Sequence, residues 1–232
     1  LPTTRATAAA LTLLATGLAT TAAQASAIAP SAPCDTTLTD AGGTTWPIHA
    51  TQALAYNGEE LITLVSAQNI GTGYWQGYAN EGGIGCTAEL DGRQVAFPEV
   101  PTLVDGIVLS RKLYTPPAGI GALRLLDTFR NTTDAPNTFI VRIDRASMDS
   151  MQPPSIDATS SGDTAVAADD NWEVVSTPTG VTHSDVWQGD TAPHRADQVN
   201  GSGLITQQRW TVTVPANSSI SLVAFATQRP ND

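Results

Sequence analysis

Within the 232 residues, Gly71-Thr72-Gly73-Tyr74-Trp75-Gln76-Gly77-Tyr78 is the segment best suited by composition to recognise another molecule. Tyr74, Trp75 and Tyr78 combine apolar ring faces with polar tips, and such rings favour half-wetted binding surfaces. The glycines between them keep the backbone low and read as a loop, and loops carry binding more often than strands do. Aromatic rings beside polar groups make platforms for sugars, so Tyr74, Trp75 and Tyr78 are expected to bind carbohydrate. The competing expectation is that Trp75 plugs the end of a hydrophobic core.

Patterns for catalysis are weaker, and no residue is assigned a catalytic role. Serine hydrolysis needs a Ser on a sharp turn with His and Asp placed separately. No Gly-x-Ser-x-Gly occurs; Asn200-Gly201-Ser202-Gly203 comes nearest and reads as a loop, while His183 and His194 leave a triad open. Glycoside hydrolysis needs two carboxylates facing each other across a cleft, and the spacing of Glu59, Glu60, Glu81, Glu89, Glu99 and Glu173 singles out no pair. Zinc would need His49, His183 and His194 to converge, yet no two are close in sequence. No cofactor is expected. Calcium is the one metal that the oxygen-rich stretches around Asp157, Asp163, Asp169 and Asp170, and around Asp185, Asp190 and Asp197, could take. The Asp-x-Asp-x-Asp spacing of a calcium loop is nevertheless absent, and Asp-rich turns usually bond to their own backbone.

The elements that must position these residues begin after a leader. Arg5, the run of Ala, Leu and Thr from Ala8 to Leu18, and Ala25-Ser26-Ala27 have the layout of a secretory signal peptide. Residues 1–27 are therefore expected to be removed and the remainder to be secreted and extracellular. The apolar run is shorter than the ~20 residues a membrane-spanning helix needs. Residues 28–45, rich in Ala, Pro and Ser at their start, read as a flexible leader, and residues 46–232 as one domain. Eleven basic residues against twenty-two acidic ones, a formal charge of −11, leave no positive face for a nucleic acid. A polysaccharide or a cell-surface component is the expected partner; the sequence does not set an oligomeric state. Cys34 and Cys86 are the two cysteines, and in an exported chain they are expected to pair.

Beyond the leader, period-two alternation recurs between turn signals. Asn57-Gly58 and Asp91-Gly92 read as two-residue hairpin turns. Ile107, Leu109 and Leu113 share one face of a strand, as do Leu123, Leu125 and Phe129 of the next, and Phe139, Val141 and Ile143 of the one after. Thr206, Gln208, Trp210, Val212 and Val214 share another, with Ile220 to Thr227 as the closing strand. Trp172 and Trp210 are expected in the core, Trp187 is open, and 180–203 reads as the longest loop and the next candidate for binding. Nineteen glycines and fifteen prolines fit many short strands and tight turns. One buried face per strand, without intervening helices, predicts an all-β, antiparallel two-layer β-sandwich.

Several of these stretches resemble a β-sandwich module of secreted actinobacterial proteins that has no assigned function. They are Leu109-Ser110-Arg111-Lys112-Leu113-Tyr114, Leu125-Leu126-Asp127-Thr128-Phe129-Arg130-Asn131-Thr132-Thr133, Thr159-Ser160-Ser161-Gly162-Asp163-Thr164, and Trp210-Thr211-Val212-Thr213-Val214-Pro215-Ala216 with Phe225-Ala226-Thr227-Gln228-Arg229. Where such modules carry Gly-Gly after Pro-Ala, this chain has Asn217-Ser218. These are strand-and-turn motifs, so the resemblance implies a fold and not a chemistry. The function expected is a secreted, non-enzymatic binding or surface-interaction module; the alternative is an extracellular hydrolase acting on carbohydrate.

Overall fold

The computed structural model describes residues 34–49, 53–56, 59–70, 76–77, 85–119, 121–147, 154–178, 180–201 and 205–230. These residues form two antiparallel sheets of eight strands each. Across the first sheet run β1 (Asp35–Thr39), β2 (Thr45–His49), β3 (Ala53–Tyr56), β4 (Glu59–Asn69), β10 (Asn137–Ser147), β15 (Ile205–Val214) and β14 (Gln198–Gly201), with β5 (Gln76–Gly77) added beside β4. Across the second run β11 (Ser155–Thr159), β12 (Trp172–Ser176), β13 (Val181–Val186), β16 (Ser219–Pro230), β9 (Leu123–Asn131), β8 (Ile107–Tyr114), β7 (Gln94–Pro101) and β6 (Thr87–Glu89). Among the described residues no helix is long and apolar enough to cross a membrane.

The alternation seen in the sequence is what layers the sheets. Ile107, Leu109 and Leu113 of β8, Leu123, Leu125 and Phe129 of β9, and Phe139, Val141 and Ile143 of β10 are all buried in one cluster with Trp46, Trp210, Val212 and Val214. The rings of Phe129 and Phe139 meet across the two sheets with centroids 5.7 Å apart. Period-two burial on both inner faces is the condition for face-to-face packing.

The same inner face also holds a charged pair that alternation alone passes over. Arg111 and Asp127 are register partners on β8 and β9, with side chains 1% and 3% exposed. The guanidinium grips the carboxylate at two points, Nε–Oδ1 2.6 Å and Nη2–Oδ2 2.9 Å. A bidentate arrangement of this kind lets two charges be buried together. Two of the sequence motifs quoted above thus meet at one interior ion pair.

Turns differ from expectation in places. Tyr56 pairs with Glu59; Asn57-Gly58, expected as a hairpin turn, lies outside the described residues. The second hairpin is longer: Glu89 pairs with Gln94, so Leu90 to Arg93 form a four-residue loop. Leu90, Asp91 and Gly92 all have positive φ (53°, 56° and 79°), a run that a two-residue turn would not require. The sandwich also starts earlier than expected, because β1 lies inside the stretch read as a leader and pairs along its length with β2. Cys34, just before β1, is disulfide-bonded to Cys86, just before β6, across a sequence separation of 52. The bond ties the first sheet to the second at one edge.

Candidate functional site

Register builds a surface that no single segment contains. Gln94 of β7 pairs with Tyr114 of β8, Tyr114 with Arg124 of β9, and Arg124 with Phe225 of β16. Phe225 pairs with Val186 of β13, and Val186 with Trp172 of β12. The neighbours of these residues along their strands, among them Val95, Leu113, Leu123, Ala224, Asp185 and Glu173, are buried between the sheets. Successive side chains point to opposite faces, so the row of Gln94, Tyr114, Arg124, Phe225, Val186 and Trp172 lies on the outer face of the second sheet. Trp172 was expected in the core and is instead half-buried on this face, because its strand turns Glu173 and Val175 inward. Trp210 is in the core as expected.

Aromatic rings and planar polar groups alternate along the row. The Arg124 guanidinium stacks 4.7 Å from the centre of the Tyr114 ring, and that of Arg93 lies 5.8 Å from it. Arg93 Nη1 donates to the Tyr114 hydroxyl at 3.2 Å, and Arg124 Nη2 donates to Gln94 Oε1 at 3.0 Å. Gln94 in turn donates to Glu89, whose carboxylate also binds Lys112 Nζ at 2.8 Å. Those two bonds, the one from Lys112 first, hold the Glu89 carboxyl below its usual pKa. Phe225 is 40% exposed, a large apolar group left open to solvent on the outer face of the sheet.

Beside Phe225 the sheet opens into a groove. β13 pairs with β16 only from Phe225 to Pro230, so Ser219 to Ala224 of β16 have β9 on one side and no described strand on the other. The chain leaving β13 forms the opposite wall. A groove of about 360 Å³ results, with Trp187, Gln188, Pro193 and His194 on one wall and Ser221, Val223 and Phe225 on the other. The Ser218 carbonyl accepts from the Asn131 N–H of β9 at 2.9 Å. By the alternation of an antiparallel ladder, the backbone groups of Ser221 and Val223 then point away from β9, into the groove. The wall on the Trp187 side is pinned: Gln188 Nε2 donates to the Asp170 carbonyl (2.6 Å) and its Oε1 accepts from the Ala196 N–H (2.8 Å). Trp187 is only 4% exposed, and its buried indole N–H has no acceptor among the described residues. Among the described residues that line the groove, none is Asp or Glu.

The residues singled out by sequence fall elsewhere. Tyr74, Trp75 and Tyr78 lie outside the described residues. Between them, β5 pairs Gln76 with Ala67 and Gly77 with Ser66 of β4, in the first sheet. His194 lines the groove, whereas His183 is buried on the inner face of β13. A compact group of ionisable side chains also lies between the sheets. Glu173 and Asp185 are register partners; Arg145 Nη1 reaches Asp185 Oδ1 at 2.7 Å, and Thr206 Oγ1 donates to Glu173 Oε2 at 2.9 Å. Burial pushes the Glu173 carboxyl up to about 7, with the Asp185 charge adding to the shift and the Thr206 bond and Arg145 opposing it. Enclosed by both sheets, these carboxylates cannot reach a substrate on either outer face.

Of the aspartates read as candidate calcium ligands, Asp163 and Asp170 are turned toward their own loop. Asp163 accepts from the Ala165 N–H and the Thr159 hydroxyl. Asp170 accepts from the N–H groups of Ser161 and Ala167 and from the Ser160 hydroxyl. Among the described residues no three His, Cys, Asp or Glu side chains gather as a metal site would require.

Solved structures supply the fold comparison. The Slr1438 protein from Synechocystis superposes with a TM-score of 0.54 at 10% identity, over 87% of this chain and 98% of that one. A galactose mutarotase-like protein from Lactobacillus casei gives 0.53 at 9% identity, over 84% of this chain and 100% of that one. No family model matches the chain, and no curated protein matches it in sequence. At such identities the likeness shows the fold alone, a two-sheet β-sandwich.

Proposed function

We propose that this protein is a secreted, non-enzymatic module that binds carbohydrate on the outer face of its second sheet. The observation that carries the reading is the row from Gln94 through Tyr114, Arg124, Phe225 and Val186 to Trp172, with the groove opening beside Phe225. Sugars present both C–H faces and hydroxyl groups, so they are held by rings set among planar polar groups. Here Phe225 offers an open ring, while Arg124 and the backbone groups of Ser221 and Val223 offer donors and acceptors. A groove lined without carboxylates suits holding a glycan rather than cleaving it, since hydrolysis needs a pair of them at the bond. The mutarotase-like fold of its structural neighbours, one of them named as galactose mutarotase-like, agrees with a role in carbohydrate recognition.

Affinity electrophoresis of the purified protein through gels containing soluble polysaccharides tests the proposal. Retardation is expected in at least one polysaccharide, and Phe225→Ala should abolish it. Because Phe225 is already 40% exposed, the variant should lose little stability, about 1 kcal/mol or less. Equal retardation of both proteins would rule this face out.

A further inference from the structure

We infer that the glycan bound on this face is acidic, and that Arg124 and Arg93, flanking Tyr114, hold the carboxylate of a uronic acid residue. The inference rests on the carbohydrate reading above and deepens it. Twenty-two acidic side chains outnumber eleven basic ones, yet Lys112, Arg124, Arg130 and Arg229 project from the outer face of the second sheet, with Arg93 at its edge. Two of these are neutralised locally, Lys112 by Glu89 and Arg130 by Glu99. Arg124 and Arg93 are not: among the described residues they are bonded to neutral groups, the Gln94 amide oxygen at 3.0 Å and the Tyr114 hydroxyl at 3.2 Å. The Arg124 Nε–H is in addition a buried donor that has no acceptor among the described residues.

Stacking explains why this pair is organised for an anion. Held over the Tyr114 ring and bonded to Gln94, Arg124 loses little further freedom on meeting a ligand, and a fixed guanidinium matches the two oxygens of a carboxylate. Phe225 is the register partner of Arg124 on the next strand, about 5 Å away. The Arg124 guanidinium extends away from Phe225, over Tyr114 and to Gln94 two strands along. A chain of sugars can therefore stack one residue on Phe225 while the carboxylate of another, further along the row, meets Arg124 and Arg93.

The test is isothermal titration of the full secreted protein with four polymers: polygalacturonate, highly methyl-esterified pectin, a neutral soluble β-glucan and dextran sulfate. Polygalacturonate should bind at least about tenfold more tightly than the other three, and added salt should erode that preference. Arg124→Gln should bring polygalacturonate down to the level of the esterified polymer. Arg124→Lys, which keeps the charge but not the fork, should fall between. If Arg124→Gln does not fold, the comparison of free and esterified polymer with the unaltered protein still decides. Equal binding of the two would overturn the inference and leave the carbohydrate proposal standing. Equal or tighter binding of dextran sulfate would also overturn it, as general anion attraction. Absence of binding to any glycan would remove both readings.

Discussion

Single side chains in this fold are decided by their partners more than by their polarity. Asn131 is fully buried, and its amide donates to the carbonyls of Ala135 (2.8 Å), Val214 (3.1 Å) and Pro215 (3.2 Å) while its oxygen accepts from the Thr133 N–H (2.9 Å). It joins the turn after β9 to the end of β15. Asn131→Ala would strand these carbonyls, so chemical denaturation should show a loss of about 2–3 kcal/mol; a loss below ~0.5 kcal/mol would refute this role. Glu173 yields a pH prediction. Its carboxyl titrates near 4.5 when unfolded and near 7 when folded. Below pH 4.5 it is protonated in both states. As pH rises toward 7 the unfolded chain ionises first, so stability falls, by on the order of 3 kcal/mol once both states are ionised. Glu173→Gln keeps an oxygen for the Thr206 hydroxyl and should be more stable than the parent at pH 8 but not at pH 4. Parallel stability–pH curves for the two proteins would contradict the assignment. The partners were not legible in the sequence: period two puts Arg111 on the face of Leu109 and Leu113 and Asp127 on that of Leu125 and Phe129, but only the register shows that the two meet.

At the scale of elements the sequence was far more informative. The strands from Ile107 to Asp144 and from Ile205 to Thr227 could be read directly, since one buried face per strand imposes period two on the residue types. Legibility failed where the backbone rather than burial decides. Asp91-Gly92 carries the signature of a two-residue turn, but left-handed backbone at Leu90 and Asp91 extends it to four residues. It also failed at β1, whose Thr-rich sequence is weakly patterned although Leu38 is buried in the core. The pairing of Cys34 with Cys86 was legible by count and is present. Closing a loop of this length contributes roughly 4 kcal/mol in the chain-entropy model. Cys34→Ser with Cys86→Ser should therefore lower the midpoint of thermal unfolding by many degrees without altering the β-sheet signal in circular dichroism. A midpoint within a degree of the parent would show that the disulfide contributes nothing.

The proposed site exists only at the scale of the whole molecule. Its six residues come from six strands spread over more than a hundred positions, and register alone aligns them. An aromatic cluster in one segment is visible in a sequence; a row running across a sheet is not. The stretch 180–203 read as one long loop instead holds β13 and β14, and only the segment between them leaves the sheet, bringing Trp187 and His194 to the groove. The most direct test of the account is a backbone NMR titration of the isotopically labelled protein with a polysaccharide that retards it in the gel. The account predicts chemical-shift changes concentrated at Gln94, Tyr114, Arg124, Val186 and Phe225, extending to Trp187 and His194. Changes confined to residues 71–78 and β4, with the second sheet unmoved, would contradict it and return the binding role to Tyr74, Trp75 and Tyr78.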